Sequence, residues 1–249
     1  MAKGFFVTGT DTGVGKTIIT AALIKAAHIL GFKACGMKPI ETGCTQKEFK
    51  VQSSKFKVIK NDLTPSDGTF LKKISNADES IDLIAPVRYE NPLAPLPASE
   101  IENNPVDIEK IKKAYRELAR RYNVIIVEGI GGLLVPINKE YFVLDLARDF
   151  GLPLIVVSRP GLGAINHTML TVNYAINEGL DVAGIIINYT RPPERTLAED
   201  TNPEIIRRLS PVPVLGIFPY LKDLESRTIG KELLRNLDIE IIRTFLPSQ

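Results

Sequence analysis

The 249-residue chain sets 31 Lys and Arg against 29 Asp and Glu, a net charge of +2, which is too small to argue for a nucleic-acid partner. Its 44% hydrophobic and 24% charged residues are the composition of a globular protein with material for a large core, and no apolar run approaches the about 18 residues of a membrane span. Cys35 and Cys44, the only cysteines, supply neither a disulfide framework nor a zinc-ligand spacing, which fits a reducing cytoplasm.

In chain order, residues 1–9 run straight into a strand pattern, FFVTG (5–9), leaving no expected signal peptide. A helix is predicted over 16–30, stopped by Gly31, and a strand over 33–38, KACGMK. Residues 44–105 fit the pattern least: KEFKVQSSKFKVIK (47–60) reads as a hairpin decorated with lysines, and the three prolines of YENPLAPLPAS (89–99) predict an extended, rigid loop. Apolar Ile108, Ile111, Tyr115 and Leu118 fall at helical intervals within 107–121. Then come strands at 123–129, 153–158, 182–188 and 212–218, with helices at 141–149, 164–178 (stopped by Gly179) and 231–245. The strands are mostly unbroken Val, Ile and Leu runs, as in parallel strands covered on both faces. The expectation is a single α/β domain over 1–249, a P-loop NTPase-like open, mainly parallel sheet with helices on both faces.

The stretch GTDTGVGKT (9–17) lies between a strand and an Ala-rich helix, the context in which a glycine loop cradles phosphate. Backbone N–H groups and the helix N-terminus make an anion-binding concavity there. Gly13 and Gly15 permit the tight turn around Val14; Lys16 is expected at the β- and γ-phosphates, and the Thr17 hydroxyl on Mg2+. Gly9 and Gly15, however, enclose five residues where the common motif has four. Further along, Lys38 leaves a strand end, and by itself fits either a ligand cation or a solvated lysine before a proline. Glu128 ends the buried run VIIVE, where an acid is costly unless something binds it. The strand–turn–helix SRPGLGAINHTMLTV (158–172) offers a second anion site at a helix start, or simply a packed crossover turn. His167 has no partner carboxylate or metal pattern and reads as structural, and His28, on the first helix, as a surface or satisfied histidine.

The shifted loop and six further segments together resemble the dethiobiotin synthetase family, ATP-dependent enzymes that close the ureido ring in biotin synthesis. The segments are GMKPIETG (36–43), PSDG (65–68), VEGIGGLLVPI (127–137), GLGAINHTMLT (161–171), INYTRPP (187–193) and GIFPYL (216–221). Thr10 stands at the usual glycine place and Asp11 where partition-type ATPases carry a second lysine. Two departures accompany the match: a longer stretch between Gly43 and Asp67, and Asp200 where some members have a tyrosine that touches the neighbouring subunit's substrate.

The resemblance implies ATP as co-substrate, Mg2+, and a carbamate formed from diaminopelargonic acid and carbon dioxide. The carbamate attacks the γ-phosphate, and the second amine displaces phosphate from the resulting anhydride. It implies catalytic roles for Lys16, Lys38 and Thr12, and a metal held by Thr17, Asp67 and Glu128. Nucleotide contacts fall on Gly13, Val14, Gly15, Lys16, Thr17, Asn188 and Pro219. Substrate contacts fall on Lys38, Thr42, Pro92 and the helix start Gly163, Ala164, Ile165 and Asn166, at a homodimer interface. A competing reading is a partition-type switch ATPase, with protein or membrane partners. A cobyrinate-type amidation enzyme needs a glutaminase domain for which the chain has no room.

Overall fold

The computed structural model describes residues 3–46 and 63–247; the predicted lysine hairpin at 47–60 lies outside them. Six strands form the central sheet: β1 (Lys3–Gly9), β2 (Ala34–Met37), β3 (Val124–Glu128), β4 (Leu154–Ser158), β5 (Val182–Asn188) and β6 (Val214–Phe218). Their spatial order is β6-β5-β4-β1-β3-β2, and every pairing in it is parallel. Beta-branched residues dominate these strands because both faces are covered, so no polar side has to alternate with an apolar one.

Alternation instead divides two apolar layers. Phe6, Met37, Ile125, Val127, Val156 and Ile185 point into one core, which is closed by α5 (Ile108–Arg121), α6 (Val143–Phe150), α7 (Ala164–Asn177) and α8 (Leu197–Leu209). Phe5, Val7, Ile126, Ile155, Val157 and Ile186 point into the other, closed by α1 (Lys16–Ile29), α2 (Ser66–Ser75), α9 (Ser226–Asn236) and α10 (Ile239–Thr244). The chain leaves β1 for the β2 edge, returns to β3 beside β1, and then builds β4, β5 and β6 on the other side. This reversal opens a crevice at the carboxyl ends of β1 and its neighbours, where open α/β sheets receive ligands. No helix among the described residues is long and apolar enough to cross a membrane.

Three regions differ from the sequence expectation. Residues Pro95–Ile101 of the predicted rigid loop form a helix, α4. Ala94 is extended and Pro95 occupies the first turn, where the missing N–H and fixed φ of proline cost nothing. The single helix predicted over 231–245 is two helices, because Leu237 is extended and the Asp238 side chain accepts from Ile241 N at 3.0 Å, starting α10 afresh. The break docks the chain on the sheet edge, with Asp238 N donating to Leu215 O. α2, the one-turn α3 (Ile81–Ile84) and α8 had no predicted counterpart; α8 carries Pro203 in its interior and buries Asn202, which donates to the carbonyls of Pro160 and Gly161.

Close packing on β2 sets the position of the lysine that follows it. A Cβ on Gly36 would lie 2.7 Å from Ile24 Cδ1 of α1 and 3.0 Å from Leu71 Cβ of α2. Gly36→Ala is expected to cost about 1–3 kcal/mol through overpacking, read as a lower urea midpoint at unchanged slope. An unchanged midpoint means that α1 and α2 separate freely.

Candidate active site

The loop between β1 and α1 turns through Gly13 (φ 73°) and Gly15 (φ 87°), both in the left-handed region that only glycine enters cheaply. Gly15 precedes α1 and no side chain caps that helix, so its first N–H groups face the crevice as an anion-binding terminus. Val14 is fully buried beneath the loop. Lys16 arches back to donate to the Asp11 carbonyl at 3.2 Å. Asp11 is itself fixed, its Oδ1 accepting from Thr12 N at 2.7 Å and its Oδ2 from Arg159 Nη2 at 2.7 Å. From β5, Asn188 Nδ2 donates to Val14 O at 2.9 Å. One donor of the amide expected at a nucleotide base therefore holds the loop in shape.

Charges converge beside the loop. Lys38 Nζ donates to Glu128 Oε1 at 2.5 Å and to Gly129 O at 3.4 Å, and lies 3.1 Å from Asp67 Oδ2. Thr17 Oγ1 donates to the same Glu128 oxygen at 3.0 Å. Lys38 and Glu128 are 4% and 1% exposed, a depth at which an isolated charge is prohibitive and a hydrogen-bonded pair is tolerable. Burial pulls the Lys38 ammonium down, but Glu128 and Asp67 outweigh it and hold the group above the ordinary lysine range. Burial raises Glu128 above the usual carboxylate range, against the pull of Lys38. Lys16 has no ion pair among the described residues: burial, and then the neighbouring Lys38, outweigh the more distant carboxylates and lower it to about 8.

A divalent cation with oxygen ligands fits this donor set. The second carboxylate oxygen, Glu128 Oε2, is buried without a hydrogen-bond partner among the described residues, beside the Thr17 hydroxyl and within one lysine of Asp67. Hard cations such as Mg2+ take one or two carboxylates and complete their shell with water and phosphate.

The cleft encloses about 910 Å³ and brings together Thr12, Gly13, Gly15, Lys16, Thr17, Lys38, Thr42, Asp67, Pro92, Glu128, Asn188 and Pro219. A second cavity of about 420 Å³, across Asn188, is lined by Gly163 and Ala164 with Arg159, Arg191 and His167. Ile165 and Asn166 line neither cavity: Ile165 is half-buried and Asn166 exposed on α7. His28 meets Ala34 O at 3.2 Å, a structural contact as expected. Asp200 is exposed on α8.

Sequence reasoning missed Glu41, a buried acid in the cleft wall whose carboxylate accepts from Ser66 Oγ, Asp67 N and Gly68 N. It missed the Asp11–Arg159 pair as well. Both partnerships join residues too far apart in sequence to leave a local signal.

The family model described as an AAA domain matches residues 3–228. An ATP-dependent dethiobiotin synthetase BioD of Thermodesulfovibrio yellowstonii is 46% identical over 97% of this chain and 99% of its own length. That of Bacillus licheniformis is 38% identical over 96% and 95%, and that of Methanocaldococcus jannaschii 37% over 88% and 95%. The chain belongs to the dethiobiotin synthetase family. Among solved structures, a putative plasmid partition protein from Borrelia burgdorferi bound to AMPPNP is similar with a TM-score of 0.57 at 15% identity, over 98% of each chain. The MinD cell division protein of Aquifex aeolicus is similar with a TM-score of 0.54 at 15% identity, over 100% of each. At that identity the likeness is one of fold alone, and it agrees with the expected P-loop sheet; membership in the dethiobiotin synthetase family, not the switch-ATPase alternative, follows from the sequence relatives.

Gly15, in the glycine loop of this family member, has no room to vary. A methyl on Gly15 would lie 2.0 Å from Asn188 Nδ2, at a φ of 87° that side chains resist. Gly15→Ala is expected to weaken ATP binding by about a hundred-fold, measured by calorimetric titration, with the far-ultraviolet circular dichroism preserved. Near-normal affinity means that the Asn188–Val14 contact is dispensable.

Proposed function

We infer that this chain is an ATP-dependent dethiobiotin synthetase: it joins diaminopelargonic acid and carbon dioxide into a cyclic urea while ATP becomes ADP and phosphate. The observation that carries the site assignment is the presence of Lys16 and Lys38 in one cleft, Lys38 ion-paired with two carboxylates and Lys16 hydrogen-bonded to a carbonyl. Two anions must meet in this reaction, the carbamate on one substrate amine and the γ-phosphate. No protein nucleophile is required; what the chain supplies is position and positive charge, the source of most of the rate in phosphoryl transfer.

In this reading the triphosphate lies along the loop N–H groups, with Lys16 at its terminal oxygens and Thr12 as a further donor. Thr17, Asp67 and Glu128 would hold Mg2+, which when bound would supply charge neutralisation to phosphate. Lys38, projecting from the end of β2, faces the carbamate, and Thr42 hydrogen-bonds beside it. A carbamate oxygen then attacks the γ-phosphorus and ADP leaves. The second amine adds to the carbamate carbon, that carbon expels phosphate, the amine loses its proton, and the five-membered ring is closed. Pro92 walls the diamine, Pro219 and Asn188 close the base end, and the α7 start at Gly163, Ala164, Ile165 and Asn166 receives the substrate's tail carboxylate. The uncapped α7 N-terminus supports this last assignment.

The tail assignment goes with a homodimer. No Asp, Glu, Lys or Arg occurs between Pro160 and Asn177, and Leu162 (96% exposed) and Leu170 (63% exposed) stand outward with Ile176 on that stretch. An uncharged face with outward leucines suits a buried partner contact better than open water.

Two experiments test these readings. Protein incubated with Mg2+, ATP, the diamine and carbon-13 bicarbonate is expected to yield labelled cyclic urea by mass spectrometry, in one-to-one ratio with ADP. Lys16→Ala is expected to lower that rate by about 100-fold or more with the fold intact; steady ATP turnover independent of the diamine, with no urea formed, would favour the switch ATPase. Leu170→Asp is expected to halve the mass seen by light scattering and to raise the KM for the diamine more than that for ATP. A wild-type protein that is already monomeric removes the dimer.

A further inference from the structure

We propose that Glu41 is a positioning residue of this active site: its buried carboxylate caps α2 from a distant strand and so holds Asp67 facing Lys38 and the metal. The proposal rests on the assignment of Asp67 to Mg2+ given above.

A helix is ordinarily capped by a Ser, Thr, Asp or Asn just before its first turn, whose side-chain oxygen accepts from the first N–H groups. Here that does not happen. The residue in the cap position is Pro65, which brings no hydrogen-bonding side chain, and the helix has no side-chain cap of its own. Glu41 takes over from outside: Oε1 accepts from Ser66 Oγ at 3.1 Å and from Asp67 N at 2.9 Å, and Oε2 accepts from Gly68 N at 2.9 Å. Ser66 therefore serves as a donor to Glu41. The Asp67 carboxylate, in the first turn so held, lies 3.1 Å from Lys38 Nζ.

A carboxylate 3% exposed is expensive to bury, and an apolar residue would fill the same space at less cost. Three donors, two of them backbone N–H groups at a helix start, offset that cost. The main chain of Glu41 is equally committed. Its carbonyl accepts from Tyr89 N at 2.9 Å, and Glu41 pairs in parallel register with Arg88, at the head of the segment carrying Pro92 and Ala94 into the cleft. One residue thus holds the carboxylate beside Lys38 by its side chain and the facing wall by its backbone. Supporting groups of this kind around a metal ligand typically matter ten- to a hundred-fold in metal affinity.

The test is calorimetric titration of ADP into the wild type, Glu41→Gln, Asp67→Asn and the double variant, each with Mg2+ and with chelator. Gln keeps the size of Glu41 but presents an N–H to a backbone N–H. Glu41→Gln is expected to reduce the Mg2+-dependent gain in affinity about ten-fold, to leave metal-free binding unchanged, and to add nothing when Asp67 is already Asn. Ser66→Ala, which removes one of the three donors, is expected to move the gain in the same direction by less, and covers the case in which Glu41→Gln does not fold. The proposal is overturned by equal losses with and without Mg2+, by losses that multiply in the double variant, or by an intact gain in Glu41→Gln. If Asp67→Asn itself keeps the full gain, the metal assignment fails first and the proposal falls with it.

Discussion

Two lysines buried within reach of one another are the constraint on which this site is built. Lys16 and Lys38 are 7% and 4% exposed, and their mutual repulsion contributes to lowering Lys16. The molecule resolves the conflict unequally. Lys38 is given two carboxylates, Glu128 and Asp67, and is held firmly charged. Lys16 is given one carbonyl, that of Asp11, and is left near 8. A cation so underpaired gains more from an arriving phosphate than one already neutralised, because the anion removes a desolvation cost the protein has not offset. The two lysines, one assigned to the triphosphate in the proposed function and one fixed in advance by carboxylates, are thus distinguished by their neighbours, not by their depth.

The sheet makes this economy of charge possible. Lys16 follows β1, Lys38 follows β2, and Glu128 ends β3, in the spatial order β1-β3-β2. The acid therefore stands on the strand between the two cations, and its Oε1 is shared by Lys38 and Thr17. Parallel register brings the three carboxyl ends to one level: Val7 pairs with Glu128, and Met37, one residue before Lys38, pairs with Val127. Side chains 90 and 111 positions apart in sequence meet because each leaves the same edge of one sheet.

That logic explains what was legible beforehand. The βαβ order, the loop and its helix, and the strand-end placement of Lys38, Glu128 and Asn188 all follow from patterns contained within some ten residues. Where the partner is remote, the pattern is silent. Asn188 reads as a group for a ligand, yet one of its donors goes to Val14, 174 positions away. Glu41 sits in a two-residue strand and its capping role depends on a helix that starts at Ser66. Pro95 and Pro97 suggest an extended loop until it is seen that both fall in a first turn, where proline lacks nothing that the helix uses. Leu237 has the apolar spacing of a helix residue, but contact with Gly216 on the sheet edge pulls it extended.

The similarity to partition and MinD-type proteins at 15% identity is instructive for the same reason. The sheet that positions a nucleotide loop is common property; the chemistry lies in what occupies a few strand ends. Position 11 is occupied here by an acid held inside the chain, one oxygen on Thr12 N and the other on Arg159, so the loop itself contributes a single lysine at position 16. The second positive charge comes from β2, at Lys38, on the far side of the acid-bearing β3. Under the proposed function a cation on the loop would serve the nucleotide, and one on a separate strand end would serve a second anion. In the proposed reaction that anion is the carbamate, and its distance from the γ-phosphorus is then fixed by the spacing of β1, β3 and β2.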